Sequence, residues 1–173
     1  MARKISIIQY KRYEAKYNKI LEEIPKLEDE VKAAREHGDL SENAEHDAAK
    51  AKLAMAKAER ADLEELLKCE IVEYDKSPML VVGSIIRISS PSITEGPLTV
   101  QMSDVGDLIT EGCLNTNTPL GKIIQGKLPG QFTVGKDIFT VEKVMNPNIE
   151  EFIEMYPEEE VLIKSLFDKA ERE

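Results

Sequence analysis

Tryptophan is absent from the sequence, aromatic residues make up only 5% of it, and there are two cysteines. Cys69 and Cys113 have no Cys-x-x-Cys spacing and no histidine at zinc-finger intervals, which argues against a disulfide framework and a structural zinc site. No apolar run approaches the roughly 20 residues of a membrane span. The first residues, Met1-Ala2-Arg3-Lys4, lead into a helical pattern and not into a signal-peptide core. We therefore expect a cytosolic protein with free thiols.

The sequence also lacks an excess of positive charge, because 23 Lys and Arg residues stand against 33 Asp and Glu residues, which gives a formal net charge of −10 at pH 7. A general nucleic-acid binder needs an excess of lysine and arginine to follow a phosphate backbone. The net charge is −4 over residues 1–75, zero over 76–145 and −6 over 146–173, so the C-terminal segment holds most of the acidity. The few aromatics suit an alanine-rich helical element beside a small domain better than one large core.

Two heptad series are present near the N-terminus, where apolar residues recur every seven positions with an offset of three. They predict one strand of a coiled coil from Ile7 to Arg35, which Pro25 bends locally without ending it. After a break at Gly38, an alanine-rich pattern predicts a return helix from Glu42 to about Glu70. The series are Tyr10, Tyr17, Ile24 and Val31, and Tyr13, Ile20, Leu27 and Ala34. We expect an antiparallel helical hairpin.

Two carboxylates, Asp39 and Glu42, fall at the turn of this hairpin. Their i, i+3 spacing is typical of a capping box, in which both satisfy backbone N–H groups at a helix start. The same two oxygen donors could hold part of the coordination shell of Mg²⁺ if a second protein supplied the rest. A further alternative joins them to His37 and His46 as a transition-metal site.

The turn carries a recognisable motif, Ala34-Arg35-Glu36-His37-Gly38-Asp39-Leu40 followed by Glu42-Asn43-Ala44-Glu45. It resembles the hairpin tip of the Gre transcript-cleavage factors, closest to GreA. The resemblance implies that Asp39 and Glu42 enter the secondary channel of bacterial RNA polymerase and help hold a catalytic Mg²⁺. Departures from the family pattern are Ser41, His46 and Lys50, where relatives carry lysine, tyrosine and arginine.

Basic side chains accompany the tip-proximal half of the hairpin. Lys52 and Lys57 fit a solvated coiled-coil surface, where lysines pair with glutamates. By the family resemblance, Arg35, Asn43 and Lys50, nearest the tip, are candidates for contact with the nascent RNA 3′ end or with the channel wall. For Arg35 and Lys50 the solvated-surface interpretation is equally open.

The pattern changes after the turn at 75–78, which predicts a domain boundary. Runs at 80–88, 98–102 and 138–144 are typical of strands, and 118–126 of a short helix. This part resembles the C-terminal domain of Gre factors, which implies an FKBP-like antiparallel sheet that docks on the rim of the polymerase channel. Pro119, Leu120 and Lys122 are the docking candidates. Proline at the first position of a helix explains the same segment without any partner.

The last segment, 146–173, is acidic and amphipathic, and its apolar residues predict two helical pieces around Pro157 that pack on the globular domain. The fold class is therefore α+β, with a coiled-coil hairpin at 1–75, a small FKBP-like domain at 79–145 and a helical tail at 146–173.

By the family resemblance, this protein is a monomeric elongation factor without activity of its own, because the RNA is hydrolysed in the polymerase active site. An inhibitor of the same fold would plug the channel, and retention of Asp39 and Glu42 argues against it. A peptidyl-prolyl isomerase needs an aromatic-lined pocket, and 79–145 contains only Phe132 and Phe139 as aromatics.

Overall fold

A computed structural model of the chain describes residues 2–36, 40–106 and 111–172, with residues 40–43 described as backbone only. The N-terminal part of the chain contains two long helices: α1 spans Ile7–Glu36 and α2 spans Leu40–Leu66. Helix α1 continues through Pro25 without interruption. Helix α2 ends a few residues earlier than the sequence pattern predicts, because the chain from Glu70 pairs as a strand.

The heptad seam of α1 faces inward as predicted. All eight residues of the two series are buried or half-buried, and Ile20, Ile24 and Leu27 are at most 8% exposed. Along α2 and the turn that follows it, the inward positions also recur at heptad spacing: His46, Ala49, Leu53, Ala56, Arg60, Leu63 and Leu67. Matching seams on two helices are the signature of coiled-coil packing.

The two helices run in opposite directions. Glu28 of α1 forms an ion pair with Lys57 of α2, at 2.9 Å. Seven residues later in α1, Arg35 lines a common groove with Lys50, which lies seven residues earlier in α2. The predicted antiparallel hairpin is therefore confirmed.

The globular part contains seven strands and three further α-helices among the described residues. A two-stranded parallel sheet joins β1 (Lys4–Ser6) to β2 (Glu70–Val72). A five-stranded sheet has the order β5-β4-β3-β7-β6. Its strands are β3 (Ile85–Ser89), β4 (Leu98–Ser103), β5 (Cys113–Asn115), β6 (Gly130–Val134) and β7 (Asp137–Lys143).

This sheet is mixed, whereas the sequence predicted an antiparallel one. The pairs β3–β4, β3–β7 and β6–β7 are antiparallel, but β4 and β5 run parallel, with Gln101 opposite Cys113. A two-residue hairpin loop would make β4 and β5 antiparallel, and the nine residues that separate them, 104–112, allow the parallel arrangement. Gly135 and Lys136 form the two-residue connection of the β6–β7 hairpin, with Gly135 at a φ of 64°.

Two apolar clusters lie on opposite sides of strand β3. Ile86 and Ile88 pack in a cluster with Leu120 and Ile124 of the short helix α3 (Pro119–Ile124). Ile85, which points the other way because side chains alternate along a strand, packs in a second cluster with Tyr156. The five-stranded sheet therefore buries apolar side chains on both faces.

The C-terminal segment supplies the second cluster. It consists of α4 (Ile149–Met155), a 3-10 helix (Pro157–Glu159) and α5 (Glu160–Ala170), so the predicted break at Pro157 is confirmed. Its cluster residues Met155, Tyr156 and Ile163 are at most 3% exposed. The segment packs on the globular part, as the sequence predicted.

Contacts divide the chain into two compact units at positions other than the predicted domain boundaries. Residues 11–68 form one unit, while the chain up to Tyr10 and from Cys69 onward forms the other. The first residues join the globular unit because β1 pairs with β2 and because Ile8 packs with Tyr156. Throughout the described ranges, helices are too short or too polar to cross a membrane.

Candidate functional site at the turn of the hairpin

The predicted tip residues fall at the end of α1 and the start of α2. Arg35 lies in the last turn of α1 and is exposed. Asp39 lies outside the described residues. Glu42 and Asn43 are backbone positions in α2. The metal-binding and capping-box interpretations of Asp39 and Glu42 both stay predictions.

A groove of about 430 Å³ lies between the two helices near the tip. It is lined by Val31, Lys32 and Arg35 of α1 and by His46 and Lys50 of α2. Three of these five side chains, those of Lys32, Arg35 and Lys50, are cationic, so the groove favours an anionic occupant. The structure thus brings together Arg35 and Lys50, two of the three residues predicted to contact RNA or the channel wall.

His46 is a groove residue whose position the sequence interpretation missed. Its side chain is 25% exposed, and Nδ1 lies 4.0 Å from a carboxylate oxygen of Asp47. The signal was available, since His46, Leu53, Arg60 and Leu67 form a seven-residue series that places His46 on the inward face. A residue on that face lines the groove between the helices.

The basic side chains of the hairpin fall into two classes. Lys57 bonds to Glu28, and this hydrogen bond and the lysine charge lower the pKa of the Glu28 carboxyl. Lys32 lies 3.5 Å from Asp29 within the same helix. Arg35 and Lys50 are exposed and form no ion pair with any other described residue.

Within the described ranges no three His, Cys, Asp or Glu side chains come close enough to hold a metal ion. The transition-metal alternative needs His37 and Asp39, which lie outside those ranges, and the Glu42 side chain. It stays a prediction.

The predicted docking segment forms the start of α3. Thr118 caps the helix, since its hydroxyl accepts from the Gly121 N–H at 3.1 Å, and Pro119 takes the first helical position. Pro119 and Lys122 are exposed, whereas Leu120 is 7% exposed and belongs to the core. Pro119 and Lys122 therefore stay docking candidates on the surface, whereas Leu120 packs inside and holds the helix in place.

Two long antiparallel helices with a basic groove near their turn, followed by a small mixed-sheet unit, define a helical-hairpin protein with a globular domain. A family model described as "Transcription elongation factor, N-terminal" (GreA_GreB_N) matches residues 4–71. The transcription elongation factor GreA of Nitratiruptor sp. is 33% identical over 125 residues, which cover 70% of this chain and 76% of that protein. The chain therefore belongs to the GreA/GreB family of transcription elongation factors.

A GreA protein from a second organism agrees with this assignment. The transcription elongation factor GreA of Streptococcus gordonii is 31% identical over 135 residues, covering 73% of this chain and 81% of that protein. A crystal structure of GreA factor homolog 1 (Gfh1) of Thermus thermophilus is similar at 21% identity, with a TM-score of 0.41, and covers 82% of this chain and 97% of that one.

Proposed function

We propose that this protein binds bacterial RNA polymerase, inserts its helical hairpin into the secondary channel and stimulates endonucleolytic cleavage of backtracked nascent RNA. The main support for the proposal is that the hairpin itself matches the family model. The match spans residues 4–71, which include Asp39 and Glu42. Transcription takes place in the bacterial cytoplasm, which is where the proposal locates the protein.

Asp39 and Glu42 would hold a Mg²⁺ ion together with carboxylates of the polymerase. The donor set fits, because Mg²⁺ prefers hard oxygen ligands and is commonly bound by only one or two protein carboxylates. When bound, such an ion activates water and neutralises charge on a phosphodiester. The protein is then a catalytic accessory factor whose own contribution is to position two carboxylates.

The groove beside the tip would contact the RNA 3′ end or the channel wall. Arg35 and Lys50 supply two cations that have no ion pair within the described part of the chain. Phosphate groups of an extruded RNA would satisfy them. Asn43, seven residues before Lys50 in α2, would be a further contact residue.

The globular unit would dock on the polymerase through the exposed Pro119 and Lys122 of α3, held in place by the buried Leu120. A docked globular unit raises the effective concentration of a weakly binding tip. We therefore expect docking variants to raise the concentration needed for half-maximal stimulation more than they lower the maximal rate.

The test is RNA cleavage by a stalled, backtracked polymerase with and without the protein. We expect Asp39→Asn and Glu42→Gln to abolish most of the stimulation with nearly unchanged polymerase binding, because the metal-holding charge is lost and the shape is kept. Glu45→Gln is the matched control, since Glu45 is an exposed carboxylate one turn further along α2. Normal cleavage by both tip variants would refute the proposal, and inhibition without cleavage by the wild-type protein would replace it with channel plugging.

A further inference from the structure

A second polar groove, of about 450 Å³, lies on the globular unit at the ends of strands β4 and β5. We call it the Arg3 groove. Its lining comes from the N-terminal residues up to the start of β1, from the loop before β3, from the segments directly after β4 and β5, and from the residue after α3. These residues are Ala2, Arg3, Lys4, Val82, Asp104, Thr116, Asn117 and Gln125.

Asp104 ties the walls of the groove together. One of its carboxylate oxygens accepts from the backbone N–H of Lys4 at 2.9 Å, and the other from the hydroxyl of Thr116 at 2.6 Å. The backbone N–H of Asp104 donates in turn to the carbonyl oxygen of Lys4, at 3.1 Å. Three separate segments are thus fixed before any partner arrives, which reduces the entropy cost of binding.

The N-terminal strand is also held from its other side. The carbonyl oxygen of Arg3 accepts from the N–H of Glu70 at 2.8 Å, and Lys4 pairs with Glu70 in the parallel ladder. Ile5, the next residue, is fully buried. The backbone that carries the Arg3 and Lys4 side chains is therefore anchored, although both residues are exposed.

The groove has more positive than negative charge. Its one carboxylate, Asp104, is engaged by two neutral donors, while Arg3 and Lys4 form no ion pair within the described part of the chain. The side-chain amides of the exposed Asn117 and Gln125 add further donors. On a chain with a net charge of −10, this groove is a local site of anion attraction.

The groove borders the helix that presents the docking residues. Asn117 stands two positions before Pro119, and Gln125 follows directly after Ile124, the last residue of α3. A partner that covers the exposed Pro119 and Lys122 therefore comes within reach of Arg3.

We propose that the Arg3 groove extends the docking surface and receives an acidic side chain of RNA polymerase, with Arg3 and Lys4 as the cationic contacts. This rests on the proposed docking through α3. An arginine fork matches a carboxylate well, and one carboxylate suits a groove with two cations. A continuous phosphate backbone suits it less, because a carboxylate side chain, Asp104, is part of the wall.

Half-saturation of cleavage stimulation by the full-length protein tests the proposal. Arg3→Gln should raise the half-saturating concentration about two- to fivefold at low salt, the range for one exposed ion pair, and the difference should shrink at high salt. The maximal cleavage rate should not change. Lys136→Gln, in the β6–β7 turn at the opposite edge of the sheet, is the matched control and should shift half-saturation less than twofold.

Carbodiimide crosslinking identifies the occupant directly, because it joins lysine amines to carboxylates. Lys4 of the wild-type protein, and position 3 in Arg3→Lys, should crosslink to an Asp or Glu of the polymerase.

Unchanged half-saturation for Arg3→Gln, or crosslinks from Lys122 but none from Lys4 and Arg3→Lys, would overturn the inference while leaving docking through α3 intact. Weaker binding of Arg3→Gln to an RNA oligonucleotide, with unchanged binding to polymerase, would overturn it in favour of a nucleic-acid site. Failure of the wild-type protein to bind polymerase would instead refute the proposed function.

Discussion

The ammonium group of Lys143 donates to a carboxylate oxygen of Asp75 at 2.7 Å, from a side chain that is only 1% exposed. The same ammonium group donates to the carbonyl oxygens of Ser77 and Met79, so all three of its donors are used. The neighbouring Tyr74 hydroxyl contacts the carbonyl oxygen of Val144 at 2.7 Å. These bonds fasten the segment from Tyr74 to Met79 to the end of β7.

Replacement of this lysine by an apolar residue of similar length should destabilise the globular unit. Lys143→Met removes the charged donor of the Asp75 carboxylate, which keeps only its hydrogen bonds from Ser77, and takes the same donor from two carbonyl oxygens. We expect a loss of about 2–4 kcal/mol in the free energy of unfolding. Urea unfolding measures it, with the exposed Lys136→Met as control. A loss below about 0.5 kcal/mol would show that the bonds have no net effect.

The same pair predicts how stability depends on pH. Burial acts to raise the pKa of Asp75, but hydrogen bonds from Lys143 and Ser77, with the Lys143 charge, outweigh it and lower the pKa below its ordinary value of 3.8. A carboxyl with a lowered folded-state pKa contributes stability that is fully present above its unfolded pKa and is lost as pH falls through the folded one. The stability difference between wild type and Asp75→Asn should therefore be constant from about pH 5 to 7 and shrink below about pH 4. Urea titrations across this range decide it, and a difference that grows on acidification contradicts the assignment.

Gly112 should be required for the seating of the C-terminal segment. Its φ is +65°, and a Cβ placed on it would lie 1.9 Å from the carbonyl oxygen of Met155 in α4. Gly126 is the matched control, because its φ is +75° and no atom lies within 4 Å of such a Cβ. Its substitution therefore measures the backbone strain without the clash. We expect Gly126→Ala to cost about 1–2 kcal/mol and Gly112→Ala about 3–5 kcal/mol in unfolding free energy. Equal costs for the two variants would mean that α4 moves away freely.

Magnesium should bind the isolated protein no more tightly than the millimolar range. Two carboxylates leave most of the octahedral shell of Mg²⁺ to water or to another protein. Calorimetric titration of the full-length protein measures this affinity. A micromolar zinc or manganese site that disappears in His46→Ala would favour the transition-metal alternative over a shared magnesium.

The sequence predicted the hairpin well because a heptad pattern is a local signal that repeats many times. It also predicted α3 and the two-part C-terminal segment, where Pro119 and Pro157 mark helix starts. The family motif identified the candidate site, and the α2 series could have placed His46 beside Arg35 and Lys50 in the basic groove.

The short strands were harder to predict. The apolar run from Leu80 was expected to be strand throughout, yet β3 begins only at Ile85, because Gly83 adopts a φ of +93° and closes a turn. Strands β1, β2 and β5 have three residues each, too few for a period to appear in the sequence. Strand β1 also pairs with β2, which lies 66 residues further along the chain, and no local pattern reveals such a distant partner.

The position of Tyr156 has a consequence for the order of folding during synthesis. Its hydroxyl lies 3.3 Å from the Ser6 hydroxyl and 3.4 Å from the side-chain oxygen of Gln101, and its ring packs with Ile8 and Ile85. The globular unit thus joins residues from the first ten of the chain to residues from its last thirty. A nascent chain on the ribosome cannot complete this cluster until Tyr156 has left the exit tunnel, whereas residues 11–68 pair locally and can fold long before.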